Sequence, residues 1–520
     1  MGNQHMKRRK TKGKNKDGKE SNTTNEAGED YFLEDWDVVN DKNKDLNYSV
    51  KFGNDLLIKE VKKDPYADYN TIKTLGEGSF GKVDLVSHKI TGAIRAMKII
   101  EKVNDLIESN DQEVLNEINI LKKIDLPSII KIFEFYVDDK NYYLITEYCS
   151  GGELYEFIND YQFSEMRVAY IMYQLFLGLN YCHKMKIIHR DLKPENILLT
   201  KNEDYFLRIK ICDFGTSQIF KKGDVQKDIV GSLFYMAPEV IQQNYNFKCD
   251  LWSCGVIMYI LLTNRLPFAG ENDDEIISNI LYSEYNSFYL KDYSENTKDL
   301  LKKLLERDVN KRINAEDALK HKFFEEFKAK EKFNEIKDEN KISKFIQNLK
   351  NYKRKSILQE TTIAYLVHNC TDLDGVEDAN NLFDKIDAYG KGKISLDDFY
   401  IGLACLVKDE NLKQEDFVEI FANLDTDKDN YLGYEDFVRG AIDKNCLLDD
   451  KILKFAFQYF DKENNGEITI EEISIIFKDH LNTNKSVNEG LRKILSEVDE
   501  EGNGKITYDK FCKLMKNLIM

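Results

Sequence analysis

The sequence predicts a multidomain chain: an α+β unit, with a small sheet lobe leading into a larger helical lobe, followed by an all-α unit. From Tyr69 to about residue 150, short alternating runs surround a glycine-rich turn, the period-two signature of strands. Beyond that point the pattern is mostly helical up to residue 324. Four acidic segments then begin at Asp387, Asp425, Asp461 and Asp499, spaced 38, 36 and 38 residues apart. A fixed repeat of this length marks an array of one supersecondary unit.

Composition sets the limits. The 520 residues exceed what one core can hold, and no apolar run approaches the roughly 18 residues of a membrane span. The start MGNQHMKRRK lacks the apolar stretch of a secretory signal. Nine scattered cysteines without a CxxC pair suit reduced thiols and a cytoplasmic setting. A net charge of −17 argues against a general nucleic-acid binder, so no nucleic-acid partner is expected.

Taken in order, residues 1–65 are polar and read as a disordered extension, with eight Lys and Arg among residues 7–19. Strand-like runs follow in YNTIKTL, KVDLVSH and AIRAMKII, and NEINILKKI reads as an amphipathic helix. The α+β unit covers 69–324. Residues 325–372, rich in Lys, Glu and Asn, carry apolar residues at helical spacing and read as junction helices. The repeat array occupies 373–520.

The first chemical motif is Leu75-Gly76-Glu77-Gly78-Ser79-Phe80-Gly81-Lys82-Val83. Glycines let a turn lie close over phosphates and aim backbone N–H groups at them. The run continues into a strand rather than a helix, and Lys98 follows on the next strand. That order suits a hairpin roof over a nucleotide, not a dinucleotide fold. Next comes His189-Arg190-Asp191-Leu192-Lys193-Pro194-Glu195-Asn196, where an Asp and an Asn five residues apart can act as base and metal ligand around one substrate. Asp213-Phe214-Gly215 and Ala237-Pro238-Glu239 complete the series.

With these four motifs in order, residues 69–324 resemble a eukaryotic protein kinase domain, and the resemblance implies roles. Lys98 would hold the α- and β-phosphates of ATP and pair with Glu117. Asp191 would orient and deprotonate the substrate hydroxyl, and Lys193 would neutralise the γ-phosphate and point to Ser/Thr specificity. Asn196 and Asp213 would hold Mg2+. Thr146 would line the back of the adenine pocket, with Glu147 and Cys149 at the hinge. Glu153 and Glu195 match acidic positions that receive a basic residue before the target in protein substrates. The segment before GSLFY lacks an obvious threonine, so Asp224 or Asp228 would supply the negative charge facing Arg190.

A calcium loop needs oxygens at positions 1, 3 and 5, a glycine at 6 and a bidentate acid at 12. The loop at 461–472 has Asp461, Glu463, Asn465, Gly466, Glu467 (through its backbone), Thr469 and Glu472, and is the strongest. The loop at 425–436 offers Asp425, Asp427, Asp429 and Tyr431 (through its backbone), but Asn430 replaces the glycine and Asp436 the glutamate. The loop at 499–510 opens with Asp499, Glu501, Asn503 and Lys505 (through its backbone) yet ends in Lys510, which cannot ligate. The loop at 387–398 keeps Asp387, Gly392 and Asp398 but has Tyr389 and Lys391 where oxygens belong, and is expected to serve as a structural partner.

Kinase domain, basic helical linker and four EF-hands in this order resemble the calcium-dependent protein kinase family. The resemblance implies an α+β bilobal kinase fold followed by an all-α, calmodulin-like EF-hand domain. It also implies a monomeric, calcium-activated serine/threonine kinase using ATP, Mg2+ and Ca2+, in which a linker at about 340–366 blocks the enzyme at rest. A rival reading has the EF-hand domain as a constitutive scaffold or a magnesium-filled module. Met1-Gly2 begins like a myristoylation signal, although Met6 stands where Ser or Thr is preferred. Acylated Gly2 and the basic cluster together would give peripheral membrane contact.

Overall fold

Alternating β-branched and aromatic residues build the small lobe, whose six-stranded sheet holds the upper half of the catalytic cleft. Its strands are β1 (Lys59–Val61), β2 (Tyr69–Gly78), β3 (Gly81–His88), β4 (Ile94–Glu101), β5 (Ile132–Val137) and β6 (Asn141–Glu147), in the order β1-β5-β6-β4-β3-β2. This computed structural model describes residues 48–50, 54–78, 81–102, 109–160, 163–200, 208–221, 224–325, 339–352, 356–370, 375–387, 389–404, 413–477, 481–483 and 504–517. Neighbouring strands run antiparallel except β1, which pairs parallel to β5 with Lys59 opposite Glu134 and Val61 opposite Tyr136. Gly81 turns the chain into β3 at φ +115°, and a Cβ there would lie 2.1 Å from the Ile99 carbonyl oxygen. Only glycine fits such an approach. Helix α1 (Ser109–Leu121) buries Val114, Ile118 and Leu121, one face at helical spacing.

The large lobe is organised by α2 (Glu165–Lys184) and α3 (Cys249–Thr263). Ser164 starts α2 by accepting the Arg167 N–H at its hydroxyl, the arrangement expected of an N-cap serine. Every residue of α3 from Cys249 to Leu262 is buried, which is where a helix apolar on all sides belongs. A buried bidentate pair between Arg312 and Glu239 ties the end of this lobe to the Ala-Pro-Glu segment.

The junction forms two helices, α4 (Glu339–Asn351) and α5 (Ile357–Asn369), as its spacing predicts. All 13 residues of α5 are buried, so it is a central pillar rather than an amphipathic surface helix. Its polar groups are satisfied. Thr361 and Thr362 donate to the carbonyls of Ile357 and Leu358, Gln359 donates to the Leu514 carbonyl, and Glu360 accepts from the Tyr352 hydroxyl. The EF-hand loops pair in twos through short strands, Lys393–Ile394 with Leu432–Gly433 and Glu467–Thr469 with Lys505–Thr507.

One expectation is corrected. The extension predicted to be disordered through residue 65 contains structure among the described residues. Tyr48–Val50 pairs antiparallel with Leu481–Thr483, a helical turn at Asn54–Leu57 buries Leu56 and Leu57, and β1 joins the sheet. The Tyr459 hydroxyl donates to the Leu56 carbonyl at 2.8 Å. Leu56, Leu57, Ile58 and Val61 form too short a run to show a period, and their partners lie far along the chain. Residues 1–47, including Gly2 and the basic cluster, lie outside the described residues.

Candidate active site and metal loops

Lys98 sits mid-strand on β4, with its Nζ 3.0 Å from Glu117 on α1 and 3.6 Å from Asp213. Burial lowers the pKa of the lysine. The two carboxylates outweigh burial and raise its pKa, so it stays a cation aimed into the cleft. Phe214 is fully buried with its ring 4.9 Å from that of His189, and this leaves the neighbouring Asp213 partly exposed. His189 also donates through Nε2 to the Cys212 carbonyl at 3.0 Å.

The catalytic turn is held from beneath. Arg190 has φ +73°, an unfavourable conformation for a side chain of its size, and Asp250 stabilises it by accepting the N–H groups of His189 and Arg190 at 3.0 and 2.9 Å. His183 donates to the same carboxylate at 2.8 Å.

Above this base, Asp191 accepts Lys193 Nζ at 2.7 Å through one oxygen and Ser232 N–H and Oγ, each at 2.9 Å, through the other. Burial pushes the Asp191 carboxyl up, but Lys193 and then Ser232 more than reverse this, so it remains an ionised acceptor for a hydroxyl proton. Lys193 also reaches Ser232 Oγ at 3.0 Å. Ser232 is a functional residue the sequence reading passed over. Its only signal is a hydroxyl beside Gly231 in GSLFY, which has no meaning until Asp191 is placed next to it.

Asn196 donates to the Asp191 carbonyl at 2.8 Å, which fixes its amide orientation. Its side-chain oxygen and the Asp213 carboxylate are hard donors that would hold Mg2+, which would neutralise phosphate charge on ATP. The hinge residues divide in role. Thr146 stands opposite Ala96 on the neighbouring strand, and buried Cys149 has its thiol pushed up by burial. Glu147 binds Lys210 at 2.8 Å and the Lys131 N–H at 2.7 Å, so its side chain braces the hinge. Lys82 is tied to Asp84 at 2.9 Å, and Leu75 is exposed on the roof strand. Gly76, Glu77 and Gly78 pair with Val83, Lys82 and Gly81, while Ser79 and Phe80 lie outside the described residues.

Of the two acids offered to Arg190, the fold brings in Asp228, 3.8 Å from its guanidinium; Asp224 instead accepts the Lys221 N–H. Arg190 also donates to the Thr216 carbonyl at 2.5 Å and to Gln218 at 2.8 Å. Glu153 and Glu195 lie close enough for their charges to interact. Burial first, then Glu156 and Glu195, raise the Glu153 carboxyl. Glu195 Oε2 is buried and accepts no hydrogen bond among the described residues.

The metal loops share one turn. Position 6 is left-handed in all four: Gly392 at φ +69°, Asn430 at +65°, Gly466 at +83° and Gly504 at +74°. In the first three loops its N–H donates to the position-1 carboxylate, at 2.7, 3.0 and 2.9 Å to Asp387, Asp425 and Asp461. Asparagine thus replaces glycine in the second loop without losing the turn.

Carboxylate oxygens of Asp425, Asp427 and Asp429 lie within 4.8 Å of one another. Burial, with Asp427 and Asp429 alongside, pushes Asp425 up to about 6. Repulsion of this kind is what a divalent cation relieves, so the donor set fits Ca2+. Asp436 is less free, because buried Arg439 binds it at 2.7 Å; burial nevertheless pushes its carboxyl up to about 6. Tyr431 N–H donates to Asp429 at 2.9 Å.

In the third loop, Glu472 accepts the N–H groups of Glu463 at 3.0 Å and Thr469 at 2.8 Å, and these outweigh burial to hold it below the usual carboxylate range. Glu463 and Asn465 lie 3.3 Å apart through their side chains, and Glu467 binds Lys505 at 2.5 Å. This set also fits Ca2+. In the first loop, Lys391 lies 3.4 Å from Asp398, placing a built-in cation beside the position-12 acid. Asp499, Glu501 and Asn503 lie outside the described residues.

Fold and site together define a serine/threonine protein kinase joined to an EF-hand domain. Residues 69–324 match the model of the protein kinase domain, and 376–442 and 450–516 match that of an EF-hand domain pair. The chain is 35% identical over 464 residues to calcium-dependent protein kinase 4 of Plasmodium berghei, covering 86% of each. It is 35% identical to the protein of the same name in Plasmodium falciparum (86% of each chain), and 32% identical to calcium-dependent protein kinase 33 of Arabidopsis thaliana, over 87% of this chain and 86% of that one. The chain belongs to the calcium-dependent protein kinase family. It is a calcium-activated serine/threonine kinase of protein substrates that uses ATP and Mg2+ and binds Ca2+ at its EF-hands.

Proposed function

We propose that this kinase selects Ser or Thr preceded by basic residues and that its linker is the calcium-controlled brake. The buried Glu195 oxygen carries the first claim. An acceptor kept from water without a partner costs stability unless a ligand donor meets it, and a substrate Arg or Lys is such a donor. Glu153 adds a second acid, its carboxyl raised by burial first and then by repulsion from Glu156 and Glu195, and an incoming cation relieves that repulsion.

The second claim follows from where α5 lies. Ile357, Leu358 and Ile363, apolar residues of α5, are buried. Neighbours of α5 include Arg439 beside Glu360, Leu514 beside Gln359 and Tyr459 stacked on Tyr365 at 4.1 Å. A helix so occupied is withdrawn from substrate. Released, its flanking basic stretch Lys353-Arg354-Lys355 would compete for the acidic groove.

The test is phosphorylation of a serine peptide with Arg at −3 against the same peptide with Ala, each with calcium and with chelator. A preference for Arg that falls in Glu195→Gln through KM, with kcat retained, is expected. Equal use of both peptides would remove the substrate claim. Equal turnover of the wild-type chain in calcium and in chelator would remove the brake.

A further inference from the structure

The second and third metal loops do not offer an ion the same number of oxygens. In the third, Glu472 closes the loop and, among the described residues, both its oxygens meet neutral donors. The Glu463 N–H reaches Oε1 at 3.0 Å, and the Thr469 N–H and hydroxyl each reach Oε2 at 2.8 Å. A glutamate placed in this way can turn both oxygens to a cation, as the position-12 acid of a calcium loop does.

The second loop closes on Asp436, whose two oxygens are unequal. Arg439 donates a charge-assisted bond to Oδ1 at 2.7 Å, and the Thr426 hydroxyl lies 3.4 Å from the same atom. Oδ2 meets the Gly433 N–H at 3.3 Å. Arg439 is fully buried and lies 3.5 Å from Glu360, so releasing Oδ1 would leave a buried cation short of one carboxylate. Asp429 is restricted in a similar way, because Lys393 binds its Oδ2. Position 9 is Gly433, which has no side chain where the third loop has Thr469.

The EF-hand fold makes 425–436 a metal loop, and these side chains decide the ion. Asp425, Asp427 and Asp429 give one oxygen each, and Tyr431 gives its carbonyl. A water at position 9 and Oδ2 of Asp436 complete the set, with no bidentate acid. Ca2+ takes six to eight oxygens in flexible geometry, whereas Mg2+ demands an octahedron of six and readily keeps water among them.

We propose that the second EF-hand is a magnesium site: with calcium low it holds Mg2+, because Asp436 gives the ion a single oxygen. Neither the linker brake nor the substrate preference enters into this choice of ion.

Hydrogen exchange on the full-length chain, stripped of metal and free of nucleotide, reads each loop separately. Titration with Mg2+ alone and with Ca2+ alone gives a midpoint for each ion at 425–436 and at 461–472. Mg2+ alone is expected to slow exchange at 425–436 at submillimolar concentration. The Mg2+-to-Ca2+ ratio of midpoints there is expected to be smaller than at 461–472 by about tenfold or more. Asp436→Glu supplies a longer arm and a second oxygen, and should raise the ratio at 425–436 toward that of the third loop. Asp427→Ala should abolish the Mg2+ effect at 425–436. Equal ratios at the two loops, no protection of 425–436 by Mg2+, protection that survives Asp427→Ala, or an unmoved ratio in Asp436→Glu would each overturn the magnesium site.

Discussion

Asp213 is partly exposed and sits beside Lys98 rather than in the core, so losing its carboxylate should spare folding while removing a donor suited to Mg2+. Asp213→Ala is expected to abolish phosphoryl transfer with its melting temperature close to wild type; retained turnover would contradict the site. Asp191→Asn removes the proton acceptor, a loss of about 10²–10⁴-fold in kcat. Lys193 is the largest influence holding the Asp191 carboxyl down against burial. In Lys193→Met burial acts with less opposition, Asp191 takes its proton at higher pH, and the acidic limb of the kcat profile moves upward. An unmoved limb would show that Lys193 does not tune the base. These residues were legible because phosphoryl transfer dictates both their type and their spacing. Ser232 was not, since a loop hydroxyl has no pattern of its own.

At the scale of single elements, the loops differ in what fills position 12. Glu472→Gln is expected to raise the calcium needed for half-activation well beyond the roughly 10⁻⁷ to 10⁻⁵ M range of sensor loops, whereas Asp398→Asn leaves it unchanged. Calorimetry finding a tight site lost in Asp398→Asn would contradict that order. Arg439 links the second loop to the pillar helix, binding Asp436 at 2.7 Å and lying 3.5 Å from Glu360. Arg439→Met leaves two carboxylates in a buried site without their cation and should cost about 3–5 kcal/mol in denaturant unfolding. A loss near zero would mean that the pair is not structurally coupled. The calcium turns were legible from their repeat and from the residues that tolerate positive φ. That α5 is buried on every side was not, because its Thr, Gln and His residues read as surface until their partners on other elements are known.

For the whole molecule, the small lobe meets the regulatory half directly. Arg95, three residues from Lys98, stacks on Phe133 at 3.7 Å and donates to the Asn369 carbonyl at the end of α5. His368 lies 3.0 Å from Glu435 and 3.1 Å from the Ile132 carbonyl oxygen. A chain ending at about residue 330 loses the proposed brake together with these supports. It is expected to turn over without calcium, more slowly than the calcium-loaded full chain, in a steady-state peptide assay. A folded but idle truncation would assign activation to the supports instead. The two-part architecture was readable from motif order and repeat. The junction between the parts was not, because contacts such as Tyr459 to Leu56 join residues hundreds of positions apart, where local pattern carries no signal.

The parallel strand Lys59–Val61 has a practical corollary for anyone cutting out the catalytic half. A fragment trimmed to the motif-bearing residues 69–324 would strip β1 from β5 and leave a row of backbone donors and acceptors along Ile132–Val137 open to solvent. Unpaired sheet edges of this sort recruit other chains. Such a fragment should precipitate or self-associate on concentration, while one beginning at residue 54 stays dispersed, a difference that light scattering reads directly.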